Sequence, residues 1–144
     1  MFNRILIALD TQDLSDRVMA VVNTLNLQPR MKVVLAHVIS PSESGLEKPA
    51  DRPYIDPELG LFRHIEQQLQ AYQDALPCQS EIEIVTGDPS EEIIRLANLY
   101  QAELIVLGSR GLTGVERILR GSVSSQVVSD ARCSVLVVKP EYDG

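Results

Sequence analysis

The sequence predicts an α/β fold: a doubly wound, five-stranded parallel sheet with four helices in a single domain. Two observations carry that expectation. Five apolar runs recur along the 144 residues, and four of them are near-continuous stretches dominated by Val, Ile and Leu. Strands buried on both faces of a parallel sheet have that composition. Between the runs lie segments whose apolar residues step by three and four, the helical period. Strand and helix therefore alternate as β-α-β-α-β-α-β-α-β.

The first strand is Ile5–Leu9, followed by a helix from about Ser15 to Leu25 with Val18, Val21, Val22 and Leu25 on one face. The second strand is Val33–Ile39. The stretch from Ser40 to Pro57 then holds four of the eight prolines, Pro41, Pro49, Pro53 and Pro57. It reads as a flexible loop, either a lid or a passive crossover. The second helix sets Phe62, Ile65, Leu69, Tyr72 and Leu76 along one stripe. The third strand is Ile82–Val85, and the run Glu81-Ile82-Glu83-Ile84 around its start alternates acid with isoleucine, which suits an edge strand with one wet face. The third helix opens Asp88-Pro89-Ser90-Glu91, an acceptor to cap, a proline for the first turn and an acid three residues on. Its apolar face is Ile93, Ile94 and Ala97. Leu104–Leu107 forms the fourth strand. The fourth helix begins near Ser122 and carries Val123, Val127 and Val128, and Val135–Val138 is the last strand.

Composition narrows the functional classes. One domain spanning residues 1–144 is expected from the length, with 40–57 as its flexible loop. Twenty acidic against thirteen basic residues give a net charge of −7, which disfavours nucleic acid and anionic membranes as partners. There are four Tyr, two Phe and no Trp, too few rings for a base-stacking surface. No apolar run approaches a membrane span. The start, Met1-Phe2-Asn3-Arg4-Ile5, lacks the features of a secretory signal, so a cytoplasmic location is expected. Cys78 and Cys133 stand in no metal or redox spacing.

Open α/β sheets bind ligands beyond the carboxyl ends of their strands, where strand order reverses. Asp10-Thr11-Gln12-Asp13 follows the first strand, and Gly108-Ser109-Arg110-Gly111-Leu112-Thr113-Gly114 follows the fourth. The second connection ends Arg120-Gly121-Ser122-Val123-Ser124. Glycines at 108, 111, 114 and 121 permit positive φ and close backbone approach to an anion. Ser122 and Ser124 fall at a helix start, where free N–H groups and the dipole favour negative charge. Residues 108–121 carry Arg110, Arg117 and Arg120 against Glu116 alone, a local excess of positive charge in an acidic chain. Together these features predict a phosphate site. The P-loop triplet Gly-Lys-Ser/Thr is absent, and the first strand is followed by no glycine, which disfavours P-loop and dinucleotide readings.

Gly108-x-x-Gly111, nine residues, then Gly121-Ser122 resembles the G-2x-G-9x-G-S/T signature of ATP-binding universal stress proteins. The resemblance extends to Ile5–Asp10, Leu35-Ala36-His37-Val38, Gly87-Asp88-Pro89 and Val135–Val138, nearly the whole chain. It implies a sheet ordered 3-2-1-4-5 and a homodimer; in that order strand five lies at an open edge, and Val135, Leu136, Val137 and Val138 hold no charge or proline to discourage pairing with a second copy. It implies ATP between strands one and four, with ADP or AMP as alternatives and with or without Mg²⁺. By that similarity Asp10 bonds the ribose and Val38 lines the adenine. Gly108, Gly111, Gly121, Ser122 and Ser124 cradle the phosphates, with Ser109, Arg110 and Val123 beside them. The chain departs from the family in two places: Thr11-Gln12-Asp13 replaces the usual Gly-Ser after Asp10, and Cys133-Ser134 replaces Cys-Pro.

The remaining polar residues have simpler expected roles. Asp13 or Ser15 can cap the first helix, leaving Asp10 for a ligand. His37 reads as a hydrogen-bonded structural imidazole and His64 as solvent-exposed. The cysteines read as small buried hydrophobes. Tyr54 offers one ring near a nucleotide. No nucleophile and base fall in a recognisable pairing, so no catalytic residue and no metal site are assigned. The leading expectation is an ATP-binding regulatory protein that switches conformation or an unidentified protein partner. The alternatives are a slow ATP hydrolase or phosphoryl transferase, with Asp10 or Asp13 holding Mg²⁺, and a nucleotide-free scaffold.

Overall fold

A computed structural model describes residues 2–10, 12–40, 57–109 and 123–140. Its elements in chain order are β1 (Arg4–Ala8), α1 (Gln12–Asn23), β2 (Lys32–Ile39), α2 (Pro57–Asp74), β3 (Gln79–Thr86), α3 (Pro89–Leu99), β4 (Leu104–Gly108), α4 (Val123–Asp130) and β5 (Ser134–Val138). The strands form one sheet ordered β3-β2-β1-β4-β5, and every neighbouring pair is parallel. The predicted α/β class, strand number and order are all found.

Strand alternation sorts the core into two layers. Ile5, Ile7, Val33, Leu35, Leu104 and Val106 face one side of the sheet and meet Val18, Met19 and Val22 of α1 with Ile65 and Leu69 of α2. Leu6, Val34, Ala36, Ile105 and Leu107 face the other side and meet Ile93, Leu96 and Ala97 of α3 with Val127 of α4. Both faces of the central strands are covered, and this explains their unbroken apolar runs.

Several helix faces differ from expectation. α1 ends at Asn23, so Leu25 lies in the turn beyond it and is exposed, while Met19 takes a core position. Phe62 is also exposed, and Leu76 packs on the core from just past the end of α2. In α3 the buried apolar positions are Ile93, Leu96 and Ala97, Ser90 is buried in the first turn, and Ile94 is half-buried. On α4 only Val127 of the three predicted valines is buried, whereas Val123 and Val128 are 40% and 53% exposed. A single stripe of this short helix meets the core, and Val128 stands about 100° around the axis from Val127. Pro57 is the first residue of α2, and residues 41–56 of the expected loop, Tyr54 included, lie outside the described residues.

The turn into α3 matches its sequence. Gly87 has φ of 153°, a conformation open to glycine, and its N–H donates to the Ile39 carbonyl at 3.0 Å. Asp88 then caps the helix, accepting from the Glu91 N–H at 3.1 Å and from the Ser90 hydroxyl at 2.8 Å. β3 lies at the sheet edge as its alternation predicts, and its acids have partners. Lys32 Nζ lies 3.4 Å from Glu81, and the Tyr100 hydroxyl donates to Glu83.

Candidate functional site

The connection after β1 runs to β2 on one side, and the chain later crosses β1 to place β4 on the other. The segments leaving β1 and β4 therefore diverge, which creates the crevice of a doubly wound sheet. The register fixes what stands at its rim. Ala8 pairs with Ala36 of β2 and with Leu107 of β4. Beyond these pairs, Asp10 lies two residues past the end of β1, Ser109 directly follows β4, and Val38 is the penultimate residue of β2. Gly108 pairs with Val138, which brings Lys139 beside Ser109.

Backbone and side-chain bonds hold that rim. The Leu9 N–H donates to the Ala36 carbonyl at 2.8 Å. His37 Nδ1 donates to the Leu9 carbonyl at 3.0 Å, which places the proton of a neutral ring on Nδ1. His37 is buried and acts as the structural imidazole expected. Its ring extends the β1–β2 pairing one step beyond the strand end. The Asp10 N–H donates to Ser15 Oγ at 3.1 Å. On the other side of the crevice, the Ser109 N–H donates to the Val138 carbonyl at 2.8 Å.

Ser15 corrects an expectation. It is 3% exposed inside the first turn of α1, and Asp13 is inside the helix too, so neither stands at the cap position. The hydroxyl reaches back to the Asp10 backbone instead. A serine three residues into a helix offers no sequence signal that separates the two roles. Gly108 corrects a second expectation: among the described glycines only Gly87 has positive φ, so the backbone of Gly108 does not need a glycine. Space does. A Cβ there would lie 2.6 Å from Leu14 Cγ and 2.8 Å from each of its Cδ atoms.

Of the predicted site residues, Asp10 and Val38 are half-buried at the rim, joined there by Gly108 and Ser109. Ser124 is buried in the first turn of α4, and Val123 is exposed at its first residue. Arg110, Gly111, Gly121 and Ser122 lie outside the described residues. His64 is exposed, with its Nε2 3.3 Å from Gln68 Nε2. Cys78 and Cys133 are half-buried rather than buried, packed one against each core layer. Burial pushes both thiols up, which disfavours the thiolate. Among the described residues, no three of His, Cys, Asp and Glu gather as a metal site would need, and no helix is long and apolar enough to cross a membrane.

Fold and rim together define a doubly wound α/β protein whose strand order reverses at its first and fourth strands. The universal stress protein family model matches residues 1–139, and the chain belongs to that family. A universal stress protein of Thermus aquaticus is 30% identical over 143 residues, 96% of this chain and all of that one. Universal stress protein MJ0531 of Methanocaldococcus jannaschii is 51% identical over 57 residues, 40% of this chain and 34% of that protein. Among solved structures, hypothetical protein MJ0577, the subject of a structure-based assignment of biochemical function, superposes with a TM-score of 0.80. It is 27% identical, with 99% of each chain covered. A universal stress protein in complex with cAMP (TM-score 0.67, 21% identical, covering 97% of this chain and 98% of that one) shares the fold. So does one from Archaeoglobus fulgidus in complex with dAMP (0.62, 20%, covering 94% and 97%).

Proposed function

We propose that this chain is a cytoplasmic regulatory protein of the stress response that binds an adenine nucleotide, ATP foremost, between β1 and β4. The observation that carries this reading is the reversal of strand order at β1 and β4, which leaves Asp10 and Ser109 just past the carboxyl ends of those two strands and Val38 near that of β2. The cAMP and dAMP complexes of two proteins of the same fold support the adenine. In this reading Asp10 accepts from the ribose hydroxyls and Val38 lies along the base. Gly108, Gly111, Gly121, Ser122 and Ser124 surround the phosphates, with Ser109, Arg110 and Val123 at the margins. Occupancy shifts a conformational or partner equilibrium. Calorimetry with ATP, ADP, AMP and cAMP, each with and without Mg²⁺, tests it. Saturable binding of one of them is expected, and no binding by any of the four refutes it. Phosphate release from ATP, followed over the same concentrations, distinguishes occupancy from turnover.

The same reading includes a homodimer through β5. Among the described residues this strand has a single neighbour, β4, and its Val135-Leu136-Val137-Val138 run carries no charge or proline to discourage pairing. Beside it runs a groove of about 420 Å³ between Arg17 and Val21 of α1 and the end of the strand. A second copy, antiparallel across a two-fold axis, covers that edge.

A further inference from the structure

We infer that Leu14 is a positioning residue for the phosphate side of the crevice: it sets where Gly108 sits, and Gly108 is a glycine because Leu14 covers it. This rests on the nucleotide reading above and adds a residue outside the glycine signature. A Cβ at position 108 would overlap three carbons of the Leu14 side chain, at 2.6, 2.8 and 2.8 Å. Backbone conformation gives no competing reason, since the φ of Gly108 lies outside the left-handed range. The usual explanation of a glycine beside an anion is room for the ligand. At this position the room is already taken by α1.

The location of Leu14 gives the contact its consequence. It precedes Ser15, whose hydroxyl holds the Asp10 N–H. One turn of α1 therefore touches both chain exits, Asp10 from β1 through Ser15 and Gly108 from β4 through Leu14. Gly108 leads directly to Ser109, which is tied to the Val138 carbonyl. The span between ribose-side and phosphate-side residues is thereby set by two neighbouring residues of one helix. A displaced Leu14 would move the point from which residues 110–122 depart.

The test is a double-substitution cycle in the full chain: Gly108→Ala, Leu14→Ala and the two combined. Amide exchange at Ser109 is followed without nucleotide, and ATP affinity by calorimetry. Gly108→Ala should speed Ser109 exchange and weaken ATP binding about tenfold, as expected for an overpacked contact. Adding Leu14→Ala vacates the space the new methyl needs, so the combined variant should match Leu14→Ala alone within about threefold in both readouts. If Leu14→Ala gives no relief in either readout, the inference is overturned, and close approach of the phosphate to bare backbone becomes the reason for the glycine. Relief in stability alone, with Ser109 exchange and affinity unmoved, overturns it too, leaving Leu14 as core packing. A parent chain that binds none of ATP, ADP, AMP and cAMP refutes the nucleotide reading separately, because the exchange cycle uses no ligand and still decides the positioning. If the combined variant does not fold, Leu14→Val with Gly108→Ala makes the same comparison.

Discussion

Replacing His37 with Leu removes a buried donor while keeping most of the side chain's bulk. His37 and Leu9 are 8% and 5% exposed, and the ring donates to the Leu9 carbonyl at 3.0 Å. Water has little access to take over that acceptor, so the substitution should cost about 1–3 kcal/mol. For a small domain the urea dependence of stability is about 1–3 kcal/mol per molar. Taking about 2 for each, the unfolding midpoint should fall by about 1 M. The chain has no Trp, so far-UV circular dichroism is the natural probe of the transition. His37→Asn supplies the control, because its side-chain amide nitrogen falls close to the position of ring Nδ1 and retains a donor. It should recover most of the lost midpoint. Parent-like stability in His37→Leu, or equal losses in the Leu and Asn variants, would show that the ring serves by volume and not by its bond to Leu9.

Three further outcomes follow from other elements. Burial and Asp16, 2.5 Å away, hold the proton on Tyr72, and Glu83 with burial holds it on Tyr100, so both ionise well above the ordinary tyrosine value. The unfolded chain releases these protons first, near about pH 10, so stability should fall as pH rises through that point and the double Tyr→Phe variant should flatten the decline in urea titrations. Asp88→Ala removes the acceptor for Glu91 N–H and the Ser90 hydroxyl and should cost about 1 kcal/mol by the same titration. In β5, Val138 accepts from Ser109, so its backbone faces β4, and alternation turns the Val137 N–H toward the open edge. Val137→Pro should remove a dimer donor and spare the β4 pairing; sedimentation at micromolar concentration should shift toward monomer, and an unchanged dimer, or a parent that is itself monomeric, refutes the edge assignment.

The strands were legible because burial on both faces leaves no polar position to interrupt Ile5–Ile7 or Val33–Ala36. Their order came from the family resemblance, since apolar runs alone do not say which strands are neighbours. Helix faces were less legible. Periodicity marks a stripe but not where the helix stops, and Leu25 and Leu76 continue a stripe beyond the last helical turn. The edge position of β3 could be read from its alternating acids. Their partners, Lys32 and Tyr100, could not, because such pairs depend on a fold that brings separate elements together.

Two glycines show how far a spacing pattern carries. Gly87 follows β3 and Gly108 ends β4, and both belong to segments that resemble the family. One is required by its φ of 153°, the other by Leu14 pressing on the place of its Cβ. A sequence shows the missing side chain in each case, but only the neighbour across space reveals the second reason. That neighbour also bears on the proposed switch. The first turn of α1 holds both exits of the crevice, and Arg17 and Val21 of the same helix border the groove along β5. A ligand that changes the distance between Asp10 and Ser109 acts on a helix packed against the open sheet edge. The rim and the proposed dimer surface are thus joined by one rigid element, the contiguous packing that coupling between two sites can use.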